Sequence, residues 1–417
     1  MSNERNSKAA YLFDPKSPLV FRTGRPFDQA GDPVSLDFPL PSTLAGACRT
    51  AIADAKSQND TEGFDFVNNG KDLKNIQVHG PLAALITQDV ATEPLFPKPA
   101  DAVYMRKDAK KAQPEILQLK PDESNQEDTW SDLSDLAGGL SPVGLPADEQ
   151  VTGKPYKKGA NWWHEDHLVA WLLAKQLKSK PEDLGWSGPQ QELRTHVQLE
   201  SKTLAAAPSQ LFQTNNLSFA PTCLNQEANR HQGWSKEQYG LLAYLPKDNL
   251  KDTPEFFRRI GGEGRIARVQ RSPDGWPGIN PDLEEQLKGS NAIRLILATP
   301  ALFKHGWRPG WIKDDMTGYP PGFPGITLKL KAFVTPRWEP VSGWDLVRNP
   351  HHKNSKEKKG PGAARAVRRM VPAGAVYWFE VIAGHEHLPE LWLQPISDDE
   401  QDQKDGYGLA LPGIWKK

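Results

Sequence analysis

Short apolar runs separated by glycine- and proline-rich connections recur along the chain, and their spacing predicts more strand than helix. Ala10 to Phe13 and Leu19 to Phe21 read as strands, the second leading into the basic turn Arg22-Thr23-Gly24-Arg25. After Pro39 the period changes. Leu44, Ala47, Cys48, Ala51, Ile52 and Ala55 recur at helical spacing, so the sequence predicts an amphipathic helix that Ser42 caps, with Arg49 off the buried stripe and facing solvent or RNA. Ile76 to Pro81, Arg194 to Leu199 and Tyr239 to Tyr244 are strand-like, whereas Trp162 to Leu173 has the pattern of an amphipathic helix. Thr253-Pro254-Glu255-Phe256-Phe257 reads as a helix start, with Thr as cap and Pro in the first turn. Beyond residue 275, Ile293 to Pro300, Ile326 to Val334 and Ala375 to Ile382 are further strands.

This order predicts an α+β protein. The first half reads β, α, a β-rich middle, α, β, which fits a ferredoxin-like fold over residues 1–275 carrying a long insertion at about 107–190. Residues 276–417 read as a second, smaller α+β unit. A length of 417 residues agrees with two domains that each bury a core.

Composition narrows the function classes. A formal net charge of −1 excludes a free-standing, strongly basic nucleic-acid binder, so any RNA contact comes from local patches. Charge is segregated: Pro121 to Gln150 contains acidic residues and no Lys or Arg, while His351 to Arg369 is strongly basic. Cys48 and Cys223 stand alone without a partner motif, which argues against a disulfide framework or a thiolate zinc site and fits a reducing cytoplasm. The opening residues carry no apolar signal core, and no run is long enough to cross a membrane.

One stretch combines features that suit an anion. Arg258-Arg259-Ile260-Gly261-Gly262-Glu263-Gly264-Arg265-Ile266-Ala267-Arg268 places three glycines between arginines. Glycine reaches positive φ and turns successive N–H groups toward one phosphate, while Arg258, Arg259, Arg265 and Arg268 supply charge and bidentate hydrogen bonds. No Gly-Lys-Ser/Thr follows, so this is not a nucleotide P-loop, and the expected order of helix, glycine loop and strand does not match a dinucleotide-binding fingerprint. His164 and His167 are three residues apart without an obvious third ligand, which favours a solvated helix face over a metal site. His196 has the chemistry of a general base for metal-independent RNA cleavage, although a lone strand histidine is more often structural. With no nucleophile elbow, paired-carboxylate cluster or cysteine–histidine pair, the weight moves from enzyme to binding subunit.

The ordered set of short segments Phe21 to Phe27, Pro39 to Ala51, Phe96 to Asp101, Gly261 to Arg265, Ala298 to Ala301, Ser342 to Asp345, Val371 to Tyr377 and Gly406 to Leu409 resembles the RAMP superfamily. Within it, the chain is similar to the subunit of type III-B (Cmr) CRISPR effector complexes that caps the crRNA at its 5′ end. The resemblance implies two ferredoxin-like RAMP folds and a non-catalytic, cytoplasmic RNA-binding subunit without cofactor or metal. It also implies contacts with a large polymerase/cyclase-like subunit and with a backbone RAMP subunit. Carried onto this sequence, Gly261, Gly262, Gly264 and Arg265 form a phosphate cradle, Arg22, Arg25 and Arg49 are basic contacts, and the Ser42-Thr43 helix start accepts a further phosphate. The insertion matches no family segment, and protein contact is expected there. The alternative is a RAMP endoribonuclease that trims precursor crRNA with a histidine such as His196.

Overall fold

The structure is a computed structural model that describes residues 9–21, 36–57, 72–87, 91–107, 113–122, 139–145, 153–220, 237–247, 250, 255–345 and 363–416. Arg22, Arg25, Cys223, Thr253, Pro254 and most of the acidic and basic runs lie outside these residues.

The described elements of the first half are β1 (Ala10–Pro15), α1 (Pro41–Ser57), β2 (His79–Thr87), β3 (Ala91–Pro97), β4 (Trp162–His164), α2 (Glu165–Leu172), β5 (Gly185–Trp186), β6 (Gln190–Leu199), β7 (Ala206–Ser218), β8 (Gln238–Tyr244), β9 (Phe256–Arg259) and β10 (Ile266–Arg271). Eight of these strands form one antiparallel sheet in the order β5-β4-β3-β2-β8-β1-β10-β9. The stretch expected as an insertion therefore contributes to the sheet itself: Trp163 in β4 pairs with Phe96 and is fully buried. The sequence around Trp162 predicts one helix, but its first three residues are a strand, because pairing with β3 satisfies their backbone and seats Trp163 in the core. β6 and β7 stand apart as a two-stranded hairpin.

A second correction concerns Phe256 and Phe257. These residues begin a strand, not a helix, because Phe256–Arg259 aligns residue for residue with Ile266–Val269. The local order is strand, glycine turn, strand.

The later elements are α3 (Pro281–Lys288), β11 (Ala292–Leu297), β12 (Thr327–Val334), β13 (Val376–Ala383), α4 (Glu400–Lys404) and β14 (Ala410–Ile414). Thr317–Gly318, β12, β13, β11 and β14 form a five-stranded antiparallel sheet in that order. The molecule is thus α+β, with mostly antiparallel sheets and few helices.

The two faces of the larger sheet serve different cores. Tyr11, Phe13, Leu241, Ala243 and Val269 point to the side covered by α1, whose Leu44, Ala47, Cys48, Ala51 and Ile52 are buried as the helical stripe predicts. Leu12, Leu82, Ala84 and Leu242 point to the other side and share a cluster with Ile293, Leu295 and Trp378 of the five-stranded sheet. Alternation along the strands sends neighbouring residues to these separate layers, so one sheet joins both.

Candidate nucleic-acid interface

β9 and β10 make a hairpin at one edge of the eight-stranded sheet, closed where Ile260 N–H donates to Arg265 O at 2.9 Å. Within the turn Gly261, Glu263 and Gly264 have φ of +73°, +57° and +66°. Gly261 needs its missing side chain twice over, since a Cβ there would lie 2.6 Å from Val20 O and 2.9 Å from the Phe21 ring. Gly262 N–H donates to Val20 O at 2.8 Å. That amide anchors the turn to the Leu19–Phe21 segment, so it does not point at a phosphate. The amides of Glu263 and Gly264 make no hydrogen bond among the described residues, and nothing approaches within 4 Å of the Gly264 Cβ position. The anion-binding capacity of the turn therefore lies at Glu263 and Gly264.

The arginines divide in the same way. Arg258 Nη1 donates to Asp54 of α1 at 2.7 Å, and Arg268 reaches the fully buried Asp14 at 2.9 Å, so both fasten the hairpin to the sheet. Arg265 lies 3.3 Å from the Glu263 carboxylate, and its Nε has no acceptor among the described residues. Arg259 is exposed. It shares a face with Phe257, two residues earlier and 62% exposed, and with its cross-strand partner Ile266, 43% exposed. Beside the open amides, the hairpin thus presents an aromatic ring flanked by a guanidinium.

The α1 assignments need correction. Arg49 does not face solvent or RNA: it pairs with Asp405 and donates through Nε and Nη2 to Ile76 O at 3.1 and 2.7 Å, and through Nη2 to Lys404 O at 3.1 Å. Ser42 does not cap the helix, which begins at Pro41 with Leu40 O accepting from Thr43 N–H at 3.0 Å. Ser42 Oγ instead meets Tyr407 Oη at 2.9 Å. Thr43 is half-buried beside it.

Several of the segments that carry the family resemblance meet at the seam between the two sheets. Gly374 O accepts from Ala100 N–H at 2.8 Å, Ala301 pairs with Val371, and Thr299 Oγ1 donates to Gly406 O at 2.7 Å. A cavity of 230 Å³ opens here, lined by Phe38, Pro97, Lys98, Trp162, Pro300 and Pro372 among others. Burial holds the Lys98 ammonium below the ordinary lysine range, against the opposing influence of Asp101. Its Nζ donates to Ala102 O at 2.6 Å.

The histidines are placed apart from the turn. His196 Nε2 and Thr214 Oγ1 are 2.8 Å apart on β6 and β7, and Thr214 donates onward to Asn216 Oδ1 at 3.0 Å. His164 Nδ1 is 2.7 Å from Glu93. Among the described residues no group of three His, Cys, Asp or Glu side chains is placed to hold a metal. Phe257 and Asp14 are the residues that the sequence reading missed. An aspartate directly after an apolar strand run was the signal for one; nothing local marked Phe257 as exposed, because its segment reads as a helix start.

The chain is a CRISPR-associated protein. It belongs to the family described as CRISPR-associated protein (Cas_Cmr3), which matches residues 11–415. No curated protein matches it. Among solved structures it is similar to a chain of the type III-B Cmr-beta complex bound to cognate target RNA and AMPPnP, at 14% identity and a TM-score of 0.41, covering 88% of this chain and 86% of that one. The same complex bound to cognate target RNA alone contains a chain with 14% identity, a TM-score of 0.43 and the same coverage. A chain of the Csm3–Csm4 subcomplex of a type III-A CRISPR-Cas interference complex has 10% identity and a TM-score of 0.33, over 98% of this chain and 100% of that one. Among the described residues no helix is long and apolar enough to cross a membrane.

Proposed function

We propose that this chain is a non-catalytic, cytoplasmic subunit of a type III-B CRISPR effector complex that holds the repeat-derived 5′ tag of crRNA and joins the large subunit to the backbone. Family membership supports the setting. The observation that carries the RNA-binding role is the β9–β10 hairpin: two consecutive open amides at positive φ, Arg259 and Arg265, and exposed Phe257 on one projecting edge. A short single-stranded tag offers phosphates for the amides and guanidiniums and unpaired bases for the ring. Sequence reading of the target is then left to the guide itself, by base pairing.

We further propose that both sheets are ferredoxin-like. In each, the first strand has the third and fourth as neighbours and the second lies outside the third, as β2-β8-β1-β10 and as β12-β13-β11-β14. The crossover from β1 to β2 carries α1, and that from β13 to β14 carries the 3₁₀ segment His385–Leu391 and α4.

The test is to ask whether the chain co-purifies with a short RNA of one uniform 5′ end, and whether Arg265→Ala weakens binding of tagged RNA. A loss of roughly 1–3 kcal/mol is expected, the size of one charge-assisted contact, with an unchanged melting temperature. Unchanged affinity removes the glycine turn from the interface. Metal-independent cleavage of repeat RNA by the purified chain, lost in His196→Ala, would establish the endoribonuclease instead.

A further inference from the structure

On the far side of the seam from the glycine turn's sheet edge, Arg294 in β11 is 1% exposed and surrounded by partners that leave one donor over. Its Nη1 donates to the buried Asp101 carboxylate and its Nη2 to Trp171 O, while its Nε, also buried, has no acceptor among the described residues. Asp101 is otherwise engaged, accepting from Trp171 Nε1 at 2.9 Å. A guanidinium N–H left without a partner in a dry interior is destabilising, on the order of 1–3 kcal/mol, so something with an acceptor belongs beside it.

The same arginine lines a cavity of 60 Å³. Gln118, Lys120 and Lys416 supply the polar part of the wall, and Trp378 and Trp415 the apolar part. Both lysines are exposed, and neither has an ion-pair partner among the described residues. Water would satisfy one orphan N–H, but it gives no reason to gather two free ammonium groups at the mouth of a cavity whose floor is a guanidinium. The Asp101 carboxylate balances Arg294 from behind, which leaves the charge of the lysines uncompensated at the opening. The volume admits a tetrahedral oxyanion and excludes a nucleobase.

We propose that this cavity is a binding site for a phosphate group, held by Arg294 Nε from below and by Lys120 and Lys416 from the mouth. It lies on residues that the proposed tag-binding hairpin does not use, so the two readings stand or fall separately. Bound phosphate would tie β11 to the 102–121 segment and to the end of β14, three parts of the chain that meet at this point.

The experiment titrates inorganic phosphate into the full chain at constant ionic strength and follows melting temperature, with chloride as the matched salt. A phosphate-specific rise is expected by mass action, with an apparent Kd that increases about tenfold or more in Lys120→Ala/Lys416→Ala, whose side chains are exposed and whose fold is retained. A short RNA with and without a terminal phosphate forms the second arm. Stabilisation by the phosphorylated form as well identifies an RNA end as the source; stabilisation by inorganic phosphate alone identifies the free ion. An equal response to chloride, or a phosphate response unchanged in the double variant, overturns the site and leaves water as the occupant of the cavity. RNA affinity at the glycine turn is read separately by Arg265→Ala and is unaffected by either outcome.

Discussion

Arg49 and Asp405 are 356 positions apart in the sequence and form an ion pair that ties α1 to the residue after α4. The guanidinium also binds Ile76 O and Lys404 O, and with the side chains only 12% and 5% exposed the pair is largely shielded from water. Arg49→Ala removes the counter-charge and leaves Asp405 buried beside two bare carbonyls. Breaking such a pair typically destabilises by about 3 kcal/mol. A fall of that order in unfolding free energy is expected from urea titration, with an unchanged slope; a change within error would show that solvent replaces the contact without loss.

The α1 stripe was legible because it depends only on local spacing, and Leu44, Cys48 and Ile52 are buried where the period places them. Arg49 was not, since its partners arrive from Lys404 and Asp405 at the other end of the chain. The same holds for β9. Phe256 and Phe257 look like a helix start until the pairing partner Arg268–Val269 is in place, because short strands take their identity from the neighbour that satisfies their backbone. The glycine cluster could be recognised as a turn, but not which amides stay open: Gly262 is engaged by Val20, a residue that no local pattern connects to it. The motif segments around Gly374 and Gly406 were visible as a set, and the structure gives those two glycines a packing reason. Cβ atoms at Gly374 and Gly406 would lie 2.4 Å from Lys98 O and 2.7 Å from Val78 O.

Two substitutions in the glycine turn separate strain from close approach. Gly264 has φ of +66° and open space around it, so Gly264→Ala carries only the left-handed conformational penalty, about 1 kcal/mol. Gly261 has a similar φ of +73°, but its new Cβ would meet Val20 O at 2.6 Å. Gly261→Ala is expected to cost about 1–3 kcal/mol more, because backbone must move. Chemical denaturation of the two variants side by side checks the order; equal losses would mean that the Val20–Phe21 segment yields freely.

His164 gives stability a pH dependence. Its hydrogen bond to Glu93 raises the imidazole above its usual 6.5, against burial, with the charges of Glu93, Glu237 and Asp166 adding to the rise. The folded state therefore holds the proton more tightly than the unfolded chain. The stabilisation is fully present below the unfolded value near 6.5 and is lost as pH rises through the raised folded value. His164→Gln should flatten the stability–pH curve across that interval and leave the acid side lower. A variant curve parallel to the parent's would assign the dependence to other groups.

Cys48 reports whether α1 stays seated. The thiol is unpaired and buried, and burial pushes it up to about 12, against the lowering influence of neighbouring Arg49. At pH 8 the folded thiolate fraction is then on the order of 10⁻⁴, and the sulfur is out of reach of any reagent until the helix lifts off the sheet. In a Cys223→Ser background, labelling by an aromatic disulfide should proceed only through that opening, far more slowly than in denaturant. Adding Arg49→Ala removes the tie to α4 and should speed labelling in proportion to the stability lost, if lifting of α1 breaks the same contacts as global unfolding. Rapid labelling of the parent would show that α1 detaches at low cost. Equal rates with and without Arg49 would show that the helix opens on its own, with its ion pair to Asp405 already broken in the opened state and in the closed one alike.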